Sequence, residues 1–225
     1  MSPYATLYIA AEAACLAAAW IFLRRADRAW KMHRYYLVVV LALELAGITY
    51  KQYGRQGVIP NGWPTYNHWI LNIQLLVTAV FLGWFMHHCL NKLQPLSRCW
   101  LYGWYTLFGA WYAADAWLNG GLSWWLNRSF VVLQAGVIVA GFYYLWLTLR
   151  PQATYKGGLP AAFLWVFATC AFYFGMAVYQ AFFNQLTALH LPVWGVEVSR
   201  LMMDGLNLAL YGTWSYAFYV CRNRS

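Results

Sequence analysis

Seven long apolar stretches occupy most of this 225-residue sequence. A run of about twenty apolar residues is typical of a membrane-spanning helix, because hydrocarbon offers no water to the backbone N–H and C=O groups. The composition, with 63% hydrophobic and only 9% charged residues, is not that of a soluble domain. The sequence therefore predicts an all-α polytopic membrane protein, a seven-transmembrane-helix bundle. The predicted spans are 3–23, 35–50, 68–90, 100–118, 129–149, 159–184 and 193–220.

The connections between these stretches are short, at about ten residues each, which leaves no room for a soluble domain. We therefore expect residues 1–225 to form a single seven-helix transmembrane domain. The arginines follow the first apolar run instead of preceding it. A secretory signal peptide has the opposite order, so the first span is predicted to be retained.

The basic residues are distributed unequally between the two ends of the predicted spans. By the positive-inside rule, the side with more lysine and arginine faces the cytoplasm. This predicts an outside N-terminus, a cytoplasmic C-terminus and a location in the plasma (inner) membrane. The net charge of +9 is thus read as an orientation signal with anionic-lipid contact, and no nucleic-acid partner is expected. The larger set is Arg24, Arg25, Arg28, Lys31, Arg34, Lys92, Arg98, Arg150, Lys156, Arg222 and Arg224, against Lys51, Arg55, Arg128 and Arg200.

Polar side chains inside the spans gather toward the predicted outer side. An acidic group in hydrocarbon costs roughly 2.5 kcal/mol or more, so it needs a partner, a proton or a wet cavity. Residues spaced by three, four or seven share one helical face, and such faces should turn toward the bundle interior. We expect a cavity that opens to the outside, while the inner halves of the spans carry little polarity. The predicted ligand-binding residues are Glu44, Asn72, Trp111, Asp115, Tyr173, Gln180, Asp204 and Asn207.

A purely structural interpretation of the same residues stays open. Asn, Gln and paired charges also hold membrane helices together by hydrogen bonds, each worth roughly 0.6–2 kcal/mol. Arg200 and Asp204, four residues apart on one helix, could simply neutralise each other.

Several functional classes lack the residues that they require. A retinal protein needs a lysine in the last span for its Schiff base, and no lysine follows Lys156, so no cofactor is expected. A membrane zinc hydrolase needs several converging histidines. Here His33, His87 and His88 are predicted at the cytoplasmic edge, and His68 and His190 on the outer side. No metal site and no catalytic residue are predicted.

Three segments carry a resemblance to known proteins: "LALELAG" around Glu44, "NHWILNIQLL" around Asn72, and the closing "GLNLALYGTWSYAFYVCRNRS". The chain resembles small stand-alone bacterial seven-helix membrane proteins and the seven-helix sensing regions of histidine kinases. This resemblance implies a sensor or receptor-like module that acts with a separate signalling partner.

The sequence therefore predicts a non-enzymatic membrane sensor that binds a small apolar or amphiphilic ligand in an outward-facing cavity. Its expected partners are membrane lipids, this ligand and a cytoplasmic signalling protein. The first alternative is a proton- or cation-coupled transporter or channel, because buried carboxylates can relay protons. The second alternative is a membrane-embedded hydrolase that uses Glu44, Asp115 and Asp204.

Overall fold

The computed structural model describes residues 5–56, 66–150, 160–188, 192–193 and 196–223. Within these residues the chain forms seven α-helices and a minimal antiparallel pair of two-residue strands, which confirms the predicted all-α class. The residues Pro3 and Leu159, at which two predicted spans begin, lie outside the described ranges. The elements are α1 (Ala5–Phe22), α2 (Arg28–Arg55), α3 (His68–Leu93), α4 (Arg98–Leu118), α5 (Asn127–Thr148), α6 (Ala161–Ala188), β1 (Pro192–Val193), β2 (Val196–Glu197) and α7 (Val198–Arg222).

Four of the helices in the described residues are long and apolar enough to cross a membrane. They are Arg28–Gly54, His68–Leu93, Asn127–Thr148 and Ala161–Phe182, while Leu7–Phe22 forms a shorter apolar helix. These lengths and compositions suggest a membrane protein, as the sequence predicts.

Two helix boundaries differ from the predicted spans for local physical reasons. Helix α2 begins seven residues before the predicted span, because the Asp27 carboxylate accepts a 3.0 Å hydrogen bond from the backbone N–H of Trp30 and caps the first turn. The first turn of α2 contains charged residues, so the hydropathy pattern did not predict it as part of the helix. Helix α7 begins five residues after the predicted start, because β1 and β2 pair through Val193 and Val196 just before it.

The helices belong to two compact units, and the boundaries between them fall inside α2 and α5. Unit 1 comprises Met1–Arg34 and Gln134–Ser225, and unit 2 comprises Tyr35–Leu133. In unit 1, α7 packs against both α1 and α6; in unit 2, α3 packs against α4. The single-domain organisation stays a prediction.

Small residues allow the helices of unit 1 to approach closely. A Cβ atom built on Gly175 of α6 would lie 2.5 Å from the Leu206 side chain of α7, and one on Gly141 of α5 would lie 3.0 Å from Cys170 Cβ of α6. Small residues let helix backbones approach closely, so that van der Waals packing holds the helices together.

Candidate functional site

Helix α1 presents one completely buried face that contains a carboxylate. Glu12, Cys15 and Ala19 of this helix, and Leu23 directly after it, recur at spacings of three and four, and each has no exposed surface. The Glu12 carboxylate is close enough to Cys15 to interact with it electrostatically. A fully buried acid on an apolar helix is costly and is therefore a functional candidate.

Helix α7 brings a second row of polar groups against this face. The side chains of Cys15 and Ser215 are hydrogen-bonded, and the Ser215 hydroxyl also donates a 2.7 Å hydrogen bond to the Tyr211 carbonyl. Because residues spaced by four and eleven share a helical face, Tyr211 and Asp204 lie on the same stripe as Ser215. We call the residues Glu12, Cys15, Asp204, Asn207, Tyr211 and Ser215 the polar seam of unit 1.

Asp204 and Asn207 differ in how their polar atoms are satisfied. Both side chains are half-buried. The Asn207 amide donates a 2.9 Å hydrogen bond back to the Met203 carbonyl of its own helix. Within the described residues, the Asp204 carboxylate accepts no hydrogen bond and forms no ion pair, so the pairing with Arg200 that the spacing allowed does not form.

The register between α6 and α7 locates two more of the predicted ligand contacts. Thr169 of α6 meets Trp214 of α7, and Gly175 meets Leu206, so the two helices run antiparallel. Continuing this register by about one and a half turns brings Gln180 near the level of Asp204. Tyr173, which is 6% exposed, is buried one half-turn before Gly175.

A buried histidine lies at the opposite end of unit 1. His33 has no exposed surface, and its Nδ1 lies 3.2 Å from the Trp30 carbonyl, to which it donates, since a carbonyl can only accept. We call the four rings around it the His33 cage. Their centroids lie 5.3–6.2 Å from the imidazole and belong to Trp30, Trp165, Trp214 and Phe218.

The rings of the His33 cage come from α2, α6 and α7, and one hydrogen bond links the last two helices. The Trp214 indole N–H of α7 donates to the Thr169 hydroxyl of α6 at 3.1 Å, and that hydroxyl donates to the Trp165 carbonyl at 2.8 Å. The Trp165 and Trp214 rings are stacked, with centroids 5.1 Å apart. A displacement of α7 would therefore alter the surroundings of His33 and of three tryptophans.

Sequence reasoning missed the His33 cage because it placed His33 at the predicted cytoplasmic edge, outside the second span. In unit 1, His33 and Thr169 are both fully buried; the predicted gathering of polar groups at the outer side stays a prediction. The available signal was the spacing of three between Trp30 and His33, which puts both on one face of a helix.

In unit 2, Asn72 of α3 fixes the connection between α4 and α5. Its amide donates hydrogen bonds to the carbonyls of Leu122 and Trp124 at 2.9 and 2.7 Å, and its Oδ1 accepts one from the Leu126 N–H at 3.2 Å. Both amide hydrogens are thus used by one loop, and the side chain has no exposed surface. This arrangement gives Asn72 a structural role.

Asp115 of α4 holds the other side of the same connection. Its Oδ2 accepts hydrogen bonds from the N–H and hydroxyl of Ser129 at 2.9 and 2.8 Å, and its Oδ1 accepts one from the Asn119 amide at 2.9 Å. Ser129 lies in the first turn of α5, where a negative charge is favourable because the N–H groups there lack intrahelical partners. Asp115 therefore caps a helix other than its own.

The remaining predicted ligand contacts of unit 2 do not share this network. Glu44 of α2 is half-buried and accepts a 2.9 Å hydrogen bond from the Gln74 amide of α3. Trp111 of α4 is 46% exposed. Of the eight predicted ligand contacts, Glu44, Asn72, Trp111 and Asp115 thus belong to unit 2, and Tyr173, Gln180, Asp204 and Asn207 belong to unit 1. Their role as ligand contacts stays a prediction.

Among the described residues, no three His, Cys, Asp or Glu side chains are grouped so that they could hold a metal ion. No protein-family model, curated protein or solved structure matches this chain.

Proposed function

We propose that this chain is a non-enzymatic, seven-span sensor of the plasma (inner) membrane that binds a small amphiphilic ligand at the outer end of the polar seam. In this proposal the N-terminus is outside and the C-terminus is cytoplasmic, in agreement with the distribution of the basic residues. The basic inner loops would dock a cytoplasmic signalling partner.

The single observation that carries the proposal is the state of Asp204. A half-buried carboxylate on a membrane helix is unfavourable unless something satisfies it, yet Asp204 accepts nothing within the described residues. A cationic group on a ligand would supply the missing partner. Gln180, near the same level of the neighbouring helix, adds an amide that could position it.

Transmission of the binding event follows from the contacts of α7. Ser215 connects this helix to Cys15 of α1, and Trp214 connects it to Thr169 of α6. A ligand that shifts α7 would therefore change the His33 cage, which contains three tryptophans. Ligand binding at one end of unit 1 would therefore be detectable as a change in tryptophan fluorescence.

Fluorescence titration of the purified full-length protein tests this proposal. We expect dodecyltrimethylammonium, a cationic amphiphile, to change the tryptophan emission, whereas anionic dodecyl sulfate at an equal submicellar concentration should not. Asp204→Asn should weaken the response at least about tenfold, because a hydrogen bond to a charged group is worth about 1.5–3 kcal/mol. Asp27→Asn is the matched control, since it removes the same charge outside the polar seam and Asn also caps helices well.

The sensor proposal fails if both amphiphiles act equally, or if Asp27→Asn reduces the response as much as Asp204→Asn. Mass spectrometry of the protein as purified from its native membrane provides the complementary test. A small molecule that is retained by the wild type and lost from Asp204→Asn would identify the natural ligand class.

Glu12 favours transport as a second candidate function. Buried carboxylates in membrane helices relay protons or bind cations, and Glu12 is fully buried near the middle of α1. Vesicles that contain the protein and a pH-sensitive dye would test this. Ligand-independent proton flux that Glu12→Gln abolishes and Asp27→Asn preserves would replace the sensor proposal by a transporter.

A further inference from the structure

The C-terminal ends of α1 and α7 lie side by side and enclose an open concavity. The rings of Phe22 and Tyr219 meet edge-to-face with centroids 5.6 Å apart, and the Arg222 guanidinium lies 5.9 Å from the Phe22 ring centroid. The concavity has a volume of about 530 Å³, within the range of roughly 300–1,000 Å³ that is typical of small-ligand sites. It is lined by Ile21, Phe22, Arg24, Arg25 and Arg222.

Three arginine residues from two separate segments thus line the same concavity, and none of its lining residues is acidic. The nearest acid in sequence, Asp27, uses its Oδ1 to cap α2 through the Trp30 N–H. The carbonyl ends of α1 and α7 carry only about half a negative charge each. Neighbouring positive charges repel one another, and an anion bound beside them would lower that repulsion.

The apolar part of the concavity indicates what kind of anion fits. Ile21 is 57% exposed and Trp20, beside it on α1, is 44% exposed, as expected of side chains that face hydrocarbon. The arginines follow directly after this apolar surface along the chain. A ligand with a phosphate at one end and an acyl chain at the other matches this order, whereas free phosphate would leave the apolar surface unused.

We infer that this concavity binds the phosphate headgroup of an anionic phospholipid, with one acyl chain along Ile21 and Phe22. Guanidinium groups form paired hydrogen bonds to phosphate oxygens, and basic pockets between membrane helices bind anionic headgroups. The site lies at the opposite end of unit 1 from Asp204, so it stands apart from the proposed ligand site and does not depend on it.

Lipid retention by the full-length protein tests the inference. We would transfer the protein into micelles that contain equal amounts of phosphatidylglycerol and phosphatidylcholine, and count retained lipids by native mass spectrometry. The wild type should retain one phosphatidylglycerol in preference to phosphatidylcholine. The triple variant Arg24→Gln, Arg25→Gln, Arg222→Gln should bind it at least about tenfold more weakly, because hydrogen bonds to charged groups support a factor of this size.

The matched control removes the same charge elsewhere, at Lys92, Arg98 and Arg150, each replaced by Gln. Arg150 is suited to this control because its guanidinium lies 3.8 Å from the Trp146 ring centroid, outside the concavity. The control should keep the wild-type affinity. An equal loss in the control would mean diffuse charge attraction and would overturn the site.

Two measurements on the wild type keep the inference falsifiable even if the triple variant fails to fold. Phosphatidylglycerol affinity should fall as salt is raised, because an interfacial ion contact is screened within about 8 Å at physiological ionic strength. Inorganic phosphate should compete only weakly. If phosphate competes as well as the lipid, the ligand is a soluble anion, and if phosphatidylcholine binds equally, the guanidinium groups do not select the headgroup; either result rejects the inference.

Discussion

The carboxylate of Asp115 on α4 caps the first turn of α5 by accepting hydrogen bonds from both the N–H and the hydroxyl of Ser129, at 2.9 and 2.8 Å. Helix caps usually come from the residue next to the helix. Here the cap comes from fourteen residues earlier in the chain, so a tertiary contact completes a local structure.

Removing the Asp115 carboxylate should destabilise the protein, because Ser129 then loses the group that accepts its two hydrogen bonds. We expect Asp115→Ala to lower the free energy of unfolding by about 1–3 kcal/mol, because it leaves the buried N–H and hydroxyl of Ser129 without an acceptor. Ser129→Ala should cost less, and the double variant should cost about as much as Asp115→Ala alone. Thermal unfolding in detergent measures these values, with Thr106→Ala on the exposed face of α4 as the control. Additive losses would contradict the cap.

Asn72 should hold the loop between α4 and α5 in a single conformation. Asn72→Ala removes one acceptor from the buried Leu126 N–H and two donors from loop carbonyls, and each hydrogen bond is worth about 0.5–1.5 kcal/mol. Hydrogen exchange of the Leu126 amide should therefore become faster, since this amide donates to Asn72 Oδ1 at 3.2 Å. Gln52→Ala, at an exposed position of α2, should leave this exchange unchanged. Unaltered exchange in Asn72→Ala would show that the loop is ordered by other contacts.

Gly83 of α3 should not tolerate a side chain. A Cβ atom there would collide with the indole ring of Trp104 on α4, whose N–H donates a 3.2 Å hydrogen bond to the Ala79 carbonyl. A rigid ring held by a hydrogen bond cannot move aside easily, so we expect Gly83→Ala to cost about 1–3 kcal/mol. Gly109→Ala on α4 is the matched control, because its Cβ would meet no atom within 4 Å. Equal melting temperatures for the two variants would refute the close approach of α3 and α4.

Thr169 should stabilise unit 1 through its contact with Trp214. Thr169→Val preserves the shape of the side chain but leaves the buried Trp214 N–H without its acceptor, at a cost of about 0.6–2 kcal/mol. Thr49→Val is a closely matched control: the Thr49 hydroxyl also donates to the carbonyl four residues earlier, at 2.8 Å, but its side chain is exposed. We expect a lower melting temperature and altered tryptophan emission only for Thr169→Val. The same behaviour in both variants would argue against the Trp214 contact.

The apolar runs by themselves determined the helical class and most of the helix positions. In lipid or in protein, a run of about twenty apolar residues has no alternative that satisfies its backbone as well as a helix does. The predicted helix boundaries were wrong where a local hydrogen bond determines the end of a helix. Asp27 is an example, because it caps α2 and the first turn of that helix therefore includes charged residues. The sequence also predicted that Asp204 and Asn207 lie on the same face of their helix, because residues three apart share a helical face.

Only the tertiary structure decided what each polar residue does. Asn72 and Asp204 had the same predicted role as ligand contacts, yet Asn72 is saturated by a loop and Asp204 accepts nothing within the described residues. The burial of His33 likewise depends on rings contributed by α6 and α7. The physical reason is that a hydrogen bond or a ring contact requires its partner within a few ångströms. Helical periodicity fixes the direction of a side chain, but only the packing of distant helices brings that partner to it.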